Sequence, residues 1–116
     1  MNPKPQTRIR HLALFRFKSE CGPEDIHVVW QMIEVLQRQI PGILELTYGP
    51  NVSTEGLDDG FTHSLAITFE NVAARDAYLP HPAHQKVVDF VLPKLEKVIV
   101  LDHDTAPPPT TVDSIS

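Results

Sequence analysis

A chain of 116 residues with 41% hydrophobic and 22% charged residues is sized and composed for one globular domain around one modest core. Its formal net charge of −5, with the ten Lys and Arg dispersed, argues against nucleic acid as a partner. The single cysteine, Cys21, can neither close an internal disulfide nor build a thiolate zinc site.

The longest aliphatic run, Val98-Ile99-Val100-Leu101, is far too short to span a bilayer, so no membrane association is expected. The N-terminal "MNPKPQTRIR" is polar and basic with no apolar stretch behind it, so a signal peptide is not expected and a cytoplasmic location is. Residues 1–8 hold two prolines and little apolar character, and read as a flexible lead. Residues 104–116, "DTAPPPTTVDSIS", set a triple proline among small polar residues and read as a mobile tail. The domain is then 9–103.

In chain order, "IRHLALFRFK" over 9–18 is apolar at both parities, as in a strand covered on two faces. Ile9, His11, Ala13, Phe15 and Phe17 share one face; Leu12, Leu14 and Arg16 share the other. Gly22-Pro23-Glu24-Asp25 starts a helix, with proline suited to the first position and acids to the N-terminal dipole. Ile26, Val29, Ile33, Leu36 and Ile40 keep helical spacing, with Trp30 beside them, until Pro41-Gly42 ends it.

A strand over 43–50 and a turn-rich loop, "NVSTEGLDDG", come next. The alternation of "FTHSLAITF" predicts a strand over 61–69, with Phe61, His63, Leu65, Ile67 and Phe69 on one face. Asn71 caps a short helix to about Leu79, a second helix runs from Pro82 to about Leu92, and Lys97–His103 is the last strand. This β-α-β-β-α-(α)-β order is the α+β, ferredoxin-like plan. Helices cover only one face of such a sheet, so the apolar residues on the other predict a homodimer that packs sheet against sheet.

The stretch Tyr78-Leu79-Pro80-His81-Pro82-Ala83-His84 breaks one helix and starts the next. Pro82 suits the first helical position, which makes His81 the N-cap, although histidine is not a favoured cap. His84, Val87, Val88 and Val91 stand at i, i+3, i+4 and i+7, so His84 lies on the sheet-facing stripe. His11 and His63 lie on the helix-facing parity of their strands, and three imidazoles are expected to converge in one half-buried pocket with Tyr78 at its edge. His27 and His103 have no patterned company and read as surface residues.

Taken singly, His11 and His63 read as satisfied core histidines, His81 as a turn residue and Trp30 as packing. Together, the three buried-parity histidines His11, His63 and His84 exceed what packing a small core requires. No carboxylate shares the stripe and no HxH or HxxxH pairing occurs, so no metal and no cofactor are assigned. General acid–base work on a hydrophobic carbonyl compound fits an apolar pocket with histidine and tyrosine tips.

The segments "RHLALFRFK", "IPGILELTYGPNVS", "FTHSLAITFE", "AYLPHPAHQ" and "VIVLDH" resemble, in this order, the stress-responsive A/B barrel (Dabb) domain over residues 9–103. The resemblance implies a dimeric α+β barrel of two ferredoxin-like subunits. It also brings in the plant polyketide cyclase branch that makes olivetolic acid by a cofactor-free aldol condensation, with a histidine base and an assisting tyrosine. Carried over by motif, the base falls on His84 and the tyrosine on Tyr78. Two further pocket histidines fall on His11 and His63, and the aromatic wall of the first helix on Trp30 and Ile33. The wall departs at Ile33, where the cyclase has a tyrosine. The alternative is a non-catalytic stress-responsive or binding protein in which the histidines are structural.

Overall fold

The computed structural model describes residues 7–105. The expected lead and Pro-rich tail lie outside the described residues, apart from Thr7, Arg8, Asp104 and Thr105. Seven main elements follow one another: β1 (Ile9–Phe17), α1 (Pro23–Gln39), β2 (Ile43–Pro50), β3 (His63–Phe69), α2 (Val72–Tyr78), α3 (Pro82–Val91) and β4 (Leu95–Asp104). One 3-10 turn over Leu92–Lys94 links α3 to β4. The four strands form one antiparallel sheet in the order β2-β3-β1-β4, the ferredoxin-like arrangement.

Local chemistry sets most boundaries. The Asp25 carboxylate accepts the Gly22 N–H at the start of α1, and Pro23 fills a position whose N–H would have had no partner. The Asn71 side chain accepts the Ala74 N–H to open α2. Gly42 has φ +93°, and a Cβ there would sit 2.6 Å from the Cβ of Ala74. Backbone conformation and close approach to α2 therefore both require glycine at the α1–β2 turn.

Two strand starts differ from the sequence reading. β3 opens at His63 because Asp59 (φ 50°) and Gly60 (φ 77°) close a turn returning the Phe61 N–H to the Asp58 carbonyl. β4 opens earlier, at Leu95, because a register shift at Arg16/Phe17 lets Leu95 pair with Phe17.

The helix-facing side of the sheet holds the core. Ile9, Ala13, Phe15, Phe17, Leu65, Ile67 and Phe69 pack beneath Val29, Trp30, Ile33 and Leu36 of α1 and Val87 and Val91 of α3. On the opposite face Leu12 pairs laterally with Ala66 and Leu101, and Leu14 with Ile99. Leu101 is 63% exposed there and Leu14 36%. No helix among the described residues is long and apolar enough to cross a membrane.

Candidate active site

The α2–α3 junction builds the first half of the site. Leu79 caps α2, and in an uninterrupted helix its carbonyl would accept the Ala83 N–H. That N–H goes instead to His81 Nδ1, at 3.0 Å, and Pro82 has no N–H to offer. His81 is thus an N-cap through its ring nitrogen. The Leu79 carbonyl is left to accept from His84 Nδ1 at 2.9 Å and from the Gln85 side chain at 2.7 Å. The prolines therefore create the backbone acceptor that orients His84.

His84 in turn lies beside Tyr78, with ring centroids 4.1 Å apart and planes tilted by 30°. Tyr78 is 2% exposed and also meets Phe69 at 4.9 Å. His11, buried on β1, places its ring edge-on to Tyr78 at 6.0 Å. The Asp102 carboxylate, directly across the β1–β4 ladder, accepts from His11 Nδ1 at 2.7 Å. Its other oxygen accepts from the Arg75 guanidinium of α2, also at 2.7 Å, and Arg75 reaches Asp76 as well. A chain of contacts thus ties α2, β4 and β1 together behind the histidine.

His11, Tyr78 and His84 tip a cavity of about 250 Å³ between the helices and the sheet. Its walls are apolar and include Ile33, Leu65, Val87, Val88 and Val91, with Val98 and Val100 toward the β4 edge. Burial lowers the His84 pKa below the ordinary imidazole value, outweighing the opposing effect of its bond to the Leu79 carbonyl. Burial likewise pushes the Tyr78 hydroxyl well above the ordinary phenol value. At neutral pH the pair is thus an uncharged imidazole and a protonated phenol.

Of the six residues singled out by sequence, His11, Ile33, Tyr78 and His84 line this cavity. The expected convergence of three imidazoles does not occur. His63 has the right parity, but it pairs with Phe15 whereas His11 pairs with Ile67. Four residues along β3 separate the two levels, about 13 Å. There His63 meets Phe17 edge-on at 5.2 Å and Trp30 at 5.9 Å, and burial lowers its pKa. Trp30 stacks on Tyr48 at 4.5 Å, and the Tyr48 hydroxyl donates to Glu34. Trp30 also packs against Phe15, which does line the cavity, so this aromatic cluster backs the cavity's far end.

The sequence reading missed Asp102 and Arg75. Alternation along Val98, Val100 and Asp102 puts that carboxylate on the helix-facing side, but only the β1–β4 register aims it at His11. No three His, Cys, Asp or Glu side chains among the described residues come together as a group that could hold a metal ion.

The sheet order, the helices on one face and the polar-tipped cavity define a ferredoxin-like α+β protein. The family model of the stress responsive A/B barrel domain matches residues 9–105, and the chain belongs to this family. It is 34% identical over 95 residues to stress-response A/B barrel domain-containing protein HS1 of Arabidopsis thaliana, covering 82% of this chain and 87% of that one. It is 27% identical over 95 residues to olivetolic acid cyclase of Cannabis sativa, with 82% and 94% covered. The structure of hydroxynitrile lyase from Passiflora edulis superposes with a TM-score of 0.83 at 26% identity, over 90% of this chain and 98% of that one. A dimeric ferredoxin-like protein from Jannaschia sp. superposes with a TM-score of 0.75 at 25% identity, over 83% and 97%.

Proposed function

We propose that two copies of this chain pack sheet to sheet, and that each subunit's cavity takes a small hydrophobic carbonyl compound for acid–base chemistry by His84 and Tyr78. The observation that carries the chemistry is the bond from His84 Nδ1 to the Leu79 carbonyl. It puts the ring's proton on Nδ1 and leaves Nε2 as the base. His84 Nε2 removes a proton beside the substrate carbonyl, while the Tyr78 O–H donates to the carbonyl oxygen as charge develops there. His11, held by Asp102, orients the substrate, and His63 and Trp30 bound the far end of its site. A relative named as a cyclase and a structural neighbour named as a lyase support the enzymatic reading.

The test is protein-dependent exchange of α-hydrogens for deuterium in a hydrophobic enolisable ketone, followed by NMR; no exchange above buffer would overturn the catalytic reading. A lowered His84 pKa and a raised Tyr78 pKa give the profile its shape. Exchange is expected at full rate at neutral pH and to fall only below the ordinary imidazole value of 6.5. The stability sign agrees. A folded-state value below the unfolded one means that His84's contribution is present above 6.5 and lost as pH falls through the folded pKa. Acid melts of wild type and His84→Asn check this.

The dimer is supported by the exposed Leu14 and Leu101 on the sheet's outer face and by the dimeric neighbour. Leu101→Asp is expected to convert the dimer to a folded monomer in sedimentation equilibrium, because Leu101 lies outside the core.

A further inference from the structure

Both pocket imidazoles commit Nδ1 to a group that can only accept. His11 Nδ1 faces Asp102, a carboxylate already paired with the Arg75 cation, and His84 Nδ1 faces a backbone carbonyl. In the neutral form of each ring Nδ1 therefore bears the proton, and Nε2 is a lone pair. Neither Nε2 has a protein partner among the described residues, and both rings line the cavity. The third polar tip is the Tyr78 hydroxyl, whose ring lies tilted over His84. The cavity thus offers two acceptors and one hydroxyl within an apolar wall.

A compound bearing only a carbonyl can satisfy Tyr78, but it would leave both imidazole lone pairs desolvated and unpaired. We infer that the occupant is a small apolar molecule that carries a hydroxyl, phenol or enol O–H in addition to its carbonyl, and that this O–H donates to Nε2 of His11. The carbonyl then lies at Tyr78 and the reacting position at His84, so that His11 selects the substrate class while His84 does chemistry. This inference rests on the cavity being a ligand pocket.

Para-propylphenol, para-propyltoluene and para-propylbenzaldehyde separate the possibilities, because they share an apolar body and differ in a donor, a methyl and an acceptor. Calorimetric titration of the wild-type protein is expected to give the phenol at least tenfold tighter binding than either analogue, although the toluene is the more apolar ligand. His11→Phe is expected to erase that preference while the toluene still binds. Nitrogen-15 NMR of the unliganded wild type is expected to find both rings protonated at Nδ1, a readout independent of whether the variant folds. Equal binding of the three probes, or an Nε2–H on His11, overturns the inference and leaves the pocket reading standing. Binding of none of them removes both.

Discussion

Replacing His84 with alanine is expected to lower catalysed α-hydrogen exchange by a factor of about 10²–10⁴, the usual range for a positioned general base. Three features combine at this side chain: a proton fixed on Nδ1, a pKa lowered by burial, and a phenol in ring contact. Alanine removes the cavity imidazole nearer to the Tyr78 phenol, at 4.1 Å between ring centroids against 6.0 Å for His11. Its shorter side chain enlarges the cavity without adding charge, so apolar probes should still bind. That split between binding and turnover separates a catalytic histidine from a structural one. His84→Ala with undiminished exchange and unchanged ligand binding would end the proposal that His84 is the base. Loss of binding together with thermal stability would favour the non-catalytic reading, in which the histidines form a structural network.

The fold was legible because its signals are local and periodic. Strand parity in β1 and β3, the i, i+3, i+4 stripe of α1, and Gly-Pro and Pro-Gly punctuation each report a face or an end without reference to the rest of the chain. The site was legible as far as those signals reach. Parity placed His11 and His63 on the helix side, and the stripe placed His84 over the sheet, as observed. Parity does not measure distance along a strand, however. His63 therefore fell on the correct face and in a different cluster, beside Phe17 and Trp30. The partners that fix the imidazoles were hidden for a related reason. Asp102 meets His11 through a long-range register, and the Leu79 carbonyl is a backbone atom freed by two prolines and a capping ring. His81 itself needed no functional role to explain it once its nitrogen was seen to cap α3.

Asp102→Ala tests the other half of the site, and its effect should appear first in stability. The carboxylate is the acceptor for both His11 Nδ1 and the Arg75 guanidinium, and His11 is only 6% exposed. Its removal leaves a buried N–H without a partner, a loss on the order of 1–3 kcal/mol. Arg75 can turn toward Asp76 and solvent, so most of the effect should come from the histidine side. Freed from the carboxylate, the His11 ring can also flip or carry its proton on Nε2, presenting a donor where the cavity otherwise has an acceptor. Exchange by the variant is therefore expected to weaken at least tenfold at temperatures where it remains folded. Asp102→Asn discriminates between the two effects. Its amide oxygen can still accept from His11 Nδ1, but its NH₂ then faces the Arg75 guanidinium, donor against donor. The tautomer, read by nitrogen-15 NMR, should survive in Asp102→Asn and not in Asp102→Ala, and activity should follow the tautomer rather than the melting temperature. If both variants lose activity in proportion to stability while His11 keeps its Nδ1 proton, Asp102 is a structural tie between β1, β4 and α2 and does not position the site.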